Sequence, residues 1–341
     1  MSRLALVYDL RDDYLSMGYS IEQVAEFDTL ETIDQLDAAL RSNGHNVERI
    51  GHGRALAAAL VKGRRWDLVF SIAEGLTGRS REAQVPALCE LFDQPCVFSD
   101  PLTMAVTLDK SVAKRLVRDA GIVTAPFLVI ENMHNLDTTA WNQYPAFIKP
   151  LAEGTGKGCE RTSIVHRPDE LHGAIEDLLQ RFAQPVLLEA YLPGREFTVG
   201  IVGNGDDAEV IGVMEISHRT ADEAGVYSFV SKEECDSMID YSCPADPVAT
   251  ASGDCALKAY RALQCRDAAR VDIRVDMNGQ PAFIEVNPIA GLHATHSDLP
   301  MLARFNGIDF NTLIARIVAA AMQRYGLTLL TTNKTAHELA A

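Results

Sequence analysis

The chain has 341 residues, with a hydrophobic fraction of 47% and a charged fraction of 23%, the profile of a globular protein with more than one core. Its formal net charge is −16 without any Lys/Arg-rich run, which argues against nucleic acid and anionic membranes as partners and requires an anionic substrate to be met by local positive charge. Seven cysteines without a Cys-x-x-Cys argue against a disulfide framework or structural zinc, and the short apolar opening with no membrane-length run elsewhere leads to the expectation of a cytoplasmic protein.

In chain order, "LALVYDL" reads as a buried strand. The apolar spacing Leu30, Ile33, Leu36, Leu40 predicts a helix ending at Asn43-Gly44. A short helix in "GRALAAALVKG" and a strand "DLVFSIA" complete a β-α-β-α-β opening, which implies a parallel sheet. The helix "SREAQVPALCELF" and a strand "CVFSD" close this unit near residue 100. One helix is expected over "TLDKSVAKRLVRDAG", followed by strands "FLVI" and "AFIKPL", a glycine-rich loop, the strand "TSIV", the helix "PDELHGAIEDLLQRF" and the strand "PVLLEAYL". From about residue 190 the pattern becomes antiparallel: a hairpin in "EFTVGIVGNGDDAEVIGVMEI", an irregular stretch to about 248, a helix "SGDCALKAYRALQC", a second hairpin "RVDIRVDMNGQPAFIEVNP" and a helix "DFNTLIARIVAAAMQRYG". The tail after Leu327 reads as loosely ordered.

Two stretches carry chemistry. With a two-residue Asn278-Gly279 turn, counting outward along the second hairpin pairs Asp272 with Glu285 and Arg270 with Asn287, and sends Val271, Ile273, Ile284 and Val286 to the opposite, core face. Like charges opposed across two strands repel, so either both acids point at solvent or something positive, such as magnesium, sits between them. The other stretch, "FIKPLAEGTGKGCE", joins Lys149 to a loop with Gly154, Gly156 and Gly158, where backbone N–H groups can approach phosphate oxygens. Lys157 is followed by Gly158 rather than Ser or Thr, so this is not a Walker loop, and the spacing is not the dinucleotide fingerprint. Taken alone it is a turn.

The motifs "DK" at 109, "IKP", "LLE", "EFTVG", "SCPAD" and "RVDIRVD…IEVNP" together resemble the ATP-grasp superfamily, and within it the D-alanine–D-alanine ligases. That resemblance implies a mixed α/β and α+β fold: a Rossmann-like parallel-sheet domain over 1–102, a central α+β lid over 103–188, a C-terminal antiparallel-sheet domain over 189–327 and a tail over 328–341. It implies an ATP-dependent carboxylate–amine ligase working through an acyl phosphate, with small-molecule carboxylate and amine substrates and, as is common among such ligases, a homodimer. Lys110 and Lys149 would contact the phosphates, and the loop carrying Gly154, Thr155, Gly156 and Gly158 would close over them. Glu189, Ala190, Tyr191 and Leu192 would meet the adenine, and Glu196 the ribose. Asp272, Glu285 and Asn287 would hold magnesium, one ion or two, with manganese as a substitute. Arg270 and the Gly291 N–H would stabilise the developing negative charge, Lys232 would touch phosphate and a substrate carboxylate, and Ser297 would hold the acceptor's carboxylate.

The substrate-facing positions depart from that family. Glu26 stands near the place of its ammonium-binding glutamate, Glu74 replaces a histidine, Glu233 stands where many members have tyrosine, and Arg79 and Arg81 bring positive charge that could meet a second substrate carboxylate. Besides a ligase for D-alanine or another amino acid, a non-catalytic nucleotide-binding regulator fits the fold. A dehydrogenase lacks its glycine fingerprint after the first strand.

Overall fold

The computed structural model describes residues 1–134, 141–154, 156–219 and 239–327; Thr155, Lys232 and Glu233 lie outside the described residues. Three sheets organise them. The first contains β1 (Arg3–Val7), β2 (Asn46–Gly51) and β3 (Leu68–Ser71), parallel in the order β2-β1-β3. Side chains alternate along β1, so Leu4 and Leu6 pack on Ile33, Leu36 and Leu40, while Ala5 and Val7 pack on Leu56 and Leu60. The intervening helices are α1 (Arg11–Ser16), α2 (Leu30–Ser42), capped by Thr29, and α3 (Gly53–Val61), capped by His52. Then come α4 (Gln84–Leu91), α5 (Pro101–Leu108) and α6 (Lys110–Asp119).

Two expectations need correction here. "CVFSD" contributes one bridge, Cys96 to Val69, rather than a strand. The single helix expected from Thr107 is two helices broken at Asp109. Asp109 is extended, and its side chain accepts from the N–H groups of Ser111 and Val112, so a new helix starts at Lys110. The signal for the earlier helix, Asp100 as cap with Pro101 at the first turn, is present in the sequence.

The second sheet, antiparallel in the order β4-β7-β5-β6, contains β4 (Phe127–Ile130), β5 (Ala146–Pro150), β6 (Ile164–Val165) and β7 (Val186–Ala190). The helix α7 (Pro168–Phe182) covers one face, burying Ile148 and Leu188 against Leu171 and Ile175. Lys149 and Glu189 are therefore left for the other face.

The third sheet runs β10-β9-β8-β11-β12, antiparallel: β8 (Glu196–Val202), β9 (Glu209–His218), β10 (Ile239–Ser242), β11 (Ala268–Val275) and β12 (Pro281–Asn287). On its inner face Val199, Val271, Ile273 and Phe283 pack on Ala256 and Tyr260 of α8 (Pro247–Ala262). That helix starts five residues earlier than expected, because Asp246 caps it and Pro247 fills its first turn. Two more helices follow, α9 (Asp298–Phe305), which the sequence reading missed, and α10 (Phe310–Arg324). α10 packs Leu313 and Ile317 into the same core as α2, tying the first sheet to the third.

The register of the second hairpin is as expected at its open end, Arg270 opposite Asn287 and Asp272 opposite Glu285, but by a different route. The turn spans residues 276–280, not two residues, and is held by the Asp276 carboxylate accepting from the N–H groups of Asn278 and Gln280. A shift between Asp272 and Ile273 then restores the count, leaving Ile284 without a partner. Ile284 thus does not join the core face as expected; it lines a cavity beside Glu285. Pro281 opens β12, where its missing N–H costs little. Among the described residues no helix is long and apolar enough to cross a membrane.

Candidate active site

Two cavities meet between the sheets. The smaller is lined by Phe147, Lys149, Glu189, Tyr191, Glu196 and Ile284, among others; the larger, of about 440 Å³, by Glu26, Glu74, Arg270, Asn287, Gly291 and Ser297, among others. Lys110, Glu153 and Glu285 line both. A volume of this order suits small-molecule ligands.

At the junction, the Lys110 ammonium lies 3.3 Å from the Glu285 carboxylate and donates to the Glu153 carbonyl. Its place is set by the break at Asp109, whose carboxylate Arg79 also grips at 2.6 Å. Across the hairpin, Arg270 donates through Nε and Nη2 to both oxygens of Asp272, at 3.1 and 3.0 Å, and through Nη1 to Asp298 at 2.9 Å. The Thr198 hydroxyl adds a 2.7 Å bond to Asp272, and the Asn287 amide donates to Asp272 at 3.4 Å. The positive charge that the opposed acids demand is thus already partly supplied, Arg270 at Asp272 and Lys110 at Glu285. Burial opposes the charge on Arg270, but Asp272, Asp298 and Glu285 outweigh it and raise its pKa. Asp272, Glu285 and Asn287 offer an oxygen-only donor set facing the cavities, which fits a hard divalent cation such as magnesium.

One acid of the smaller cavity differs from its expected setting. Glu189, expected at the adenine, lies between two buried lysines, 2.8 Å from Lys149 and 2.8 Å from Lys114. Burial alone would raise its carboxyl, yet Lys114 and then Lys149 outweigh that and hold it at about 2. Lys114 is fully buried and was missed; its spacing of four from Lys110 on one helix was the available signal. Lys149 lines the cavity with its charge held by Glu189. The N–H groups of Ala190 and Tyr191 are bonded to the carbonyls of Pro126 and Pro145, which removes them as donors to a base. Leu192 and Glu196 line the same cavity, with Arg274 3.2 Å from Glu196 and bonded to the Tyr191 hydroxyl at 3.0 Å. Arg274 was also missed, although it shares a strand face with Arg270 and Asp272 by the period of two.

The glycine loop is tied to Glu26, in the stretch between α1 and α2. Gly154 N–H donates to Glu26 Oε1 at 2.6 Å, Arg81 donates to the other Glu26 oxygen at 2.8 Å, and Arg81 also reaches the Ala152 carbonyl. Gly158 is needed as glycine: at φ +69° a Cβ would lie 2.6 Å from Pro150 and 2.8 Å from Phe182. Gly156 sits in the smaller cavity. Arg79 and Arg81, expected to face a second substrate carboxylate, instead pair with the protein's own Asp109 and Glu26. At the far wall Ser297 lies against Gly291, where a Cβ would be 2.8 Å from the serine oxygen, and that oxygen accepts from His293 N–H at 3.0 Å.

The larger cavity is acidic beyond these pairs. Burial, and then Glu82 and Glu26, push the Glu74 carboxyl well above the usual range. Burial raises Glu82 to about 7 against the pull of Arg81, and raises Asp28 to about 7 against Arg11. Glu82 was not singled out from the sequence, where it reads as one more acid in a helix-start charge cluster.

A family model described as D-ala D-ala ligase C-terminus matches residues 116–319. The D-alanine–D-alanine ligase of Aquifex aeolicus is 33% identical over 291 residues, covering 85% of this chain and 94% of that protein. The protein y4sG of Sinorhizobium fredii is 32% identical over 302 residues, covering 86% and 88%. Among solved structures, D-alanine–D-alanine ligase from Bacillus anthracis complexed with ATP superposes with a TM-score of 0.72 at 22% identity, over 96% of this chain and 99% of that one. The VanG D-Ala:D-Ser ligase of Enterococcus faecalis gives 0.71 at 20% identity, over 94% and 99%.

Proposed function

Because the chain belongs to the D-alanine–D-alanine ligase family of ATP-grasp ligases, we propose that it joins a carboxylate to an amine at the expense of ATP, making a peptide or amide bond through an acyl phosphate. The observation that carries this reading is the pair of cavities sharing Lys110 and Glu285, which gives one junction for a nucleotide's terminal phosphate and an organic carboxylate.

Phosphoryl transfer to a carboxylate needs in-line positioning and neutralised oxygens rather than a protein nucleophile. In this reading ATP lies in the smaller cavity, its phosphates beside Lys110 and Lys149 and under the glycine loop. The donor carboxylate attacks the γ-phosphorus from the larger cavity, the bond to the β-γ bridging oxygen breaks, and ADP leaves. Asp272, Glu285 and Asn287 would hold magnesium, one ion or two, whose charge neutralises the phosphate oxygens. The amine then attacks the acyl carbon and phosphate departs. Arg270 and the Gly291 N–H stabilise the oxyanion, a contribution of about 3 kcal/mol per donor. Ser297 anchors the acceptor's carboxylate.

The substrate pair differs from two D-alanines in this reading, supported by Glu74 and Glu82 in the larger cavity. The test is phosphate release with magnesium, ATP and L- and D-amino acids, singly and in pairs, with products identified by mass spectrometry. Release that requires an amino acid and yields a dehydrated conjugate is the expected result; release with D-alanine alone, giving its dipeptide, overturns the substrate assignment, and no stimulation by any acid overturns the ligase reading.

A further inference from the structure

The acids of the larger cavity are not equivalent. Glu26 is satisfied by Arg81 and by the Gly154 N–H. Glu82 is only 9% exposed, lines the cavity, and has neither a hydrogen bond nor an ion pair among the described residues. A buried carboxylate without a partner is expensive, and Glu74, Glu26 and Asp28 beside it in the cavity wall add to the repulsion. The nearby cations leave it unpaired: Arg81 is committed to Glu26 and the Ala152 carbonyl, and Lys110 to Glu285 and the Glu153 carbonyl. Among the described residues no three His, Cys, Asp or Glu side chains converge as a metal site, so the spread carboxylates of this wall suit an extended organic cation better than a metal ion.

Resting on the ligase reading, we propose that the donor site accepts a carboxylic acid carrying two amino groups, an ornithine- or lysine-like diamino acid, with Glu82 receiving the second ammonium and Glu74 flanking it. Both Glu26 oxygens are already taken by Arg81 and the Gly154 N–H, which leaves Glu74 and Glu82 as the acids of this wall open to a donor's amino groups. Glu82 lines the same cavity as Lys110 and Glu285, the pair that forms the phosphate junction in the ligase reading. A donor lying in that cavity with its carboxylate at the junction has its far amine against Glu82.

The experiment is calorimetric binding to the full chain with magnesium and a non-hydrolysable ATP analogue, using both stereoisomers of ornithine and lysine against the neutral isostere norleucine and against alanine. A diamino acid should bind about tenfold or more tightly than norleucine, the worth of a charged hydrogen bond, and Glu82→Gln should reduce that preference to under about threefold. If Glu82→Gln does not fold, as judged by circular dichroism, Glu74→Gln is expected to weaken the same preference. Norleucine binding as well as the diamino acids, or a preference that survives in folded Glu82→Gln, overturns the proposal. ATP consumption measured in parallel separates the two readings: a diamino preference without turnover upholds the cation site and overturns the ligase.

Discussion

Glu285 faces both cavities and touches Lys110, so a single oxygen-to-nitrogen change there separates charge from shape. Glu285→Gln should lower kcat by about a hundredfold or more in a phosphate-release assay, since it removes a carboxylate that would hold the magnesium neutralising the phosphate oxygens. Asp272 behaves differently. Arg270 and Thr198 already satisfy it, so removing its charge gives no relief of repulsion and leaves Arg270 leaning on Asp298. Lys114→Met removes one of the two lysines from the buried Glu189 and should cost about 3 kcal/mol in urea denaturation, because one carboxylate oxygen is left buried without its cation. Unchanged stability would show that Lys149 alone suffices.

The acids of the larger cavity also set a pH dependence. Asp28 and Glu82 titrate near 7 when folded, above the ordinary carboxyl range, so the native state holds protons that the unfolded chain has released. Stability from this source is fully present below that range and is lost as pH rises to about 7. The ligand-free protein should therefore melt lower at about pH 8 than at about pH 5, and Glu82→Gln should gain more in Tm at the higher pH. A gain that is equal at both values would contradict the sign.

At the scale of elements, the glycine loop is fastened to the stretch between α1 and α2 through Glu26, whose oxygens take the Gly154 N–H and Arg81. Glu26→Ala should free that loop, seen as faster proteolysis between residues 151 and 160 and as a raised KM for ATP; unchanged cleavage would mean the loop is held elsewhere. The same scale explains what could be read in the sequence. Hydrophobic period located most strands and helices, because Leu4, Leu6, Ile33 and Leu36 must meet a core wherever it lies. Breaks and starts were harder: Asp109 interrupts what looks like one amphipathic run, and its capping role follows from its extended backbone, which no periodicity encodes. The hairpin register came out at Asp272–Glu285 because a five-residue turn and one unpaired residue cancel, and neither is visible in a count from Asn278-Gly279.

For the whole molecule, the motif residues of the family were legible because they recur in fixed local contexts. Lys114, Arg274 and Glu82 were not, since their importance arises from what other segments bring against them: Glu189 from β7, Glu196 from β8, and Glu26 from the stretch between α1 and α2. The resulting shape is two cavities opening on one shared junction. In the proposed reaction a carboxylate is phosphorylated there. Incubating the protein with magnesium, ATP, a donor acid labelled with oxygen-18 in its carboxylate and an amine acceptor measures this directly. Transfer of one labelled oxygen into the released phosphate is the predicted result; product formed with the label absent from phosphate would contradict the account.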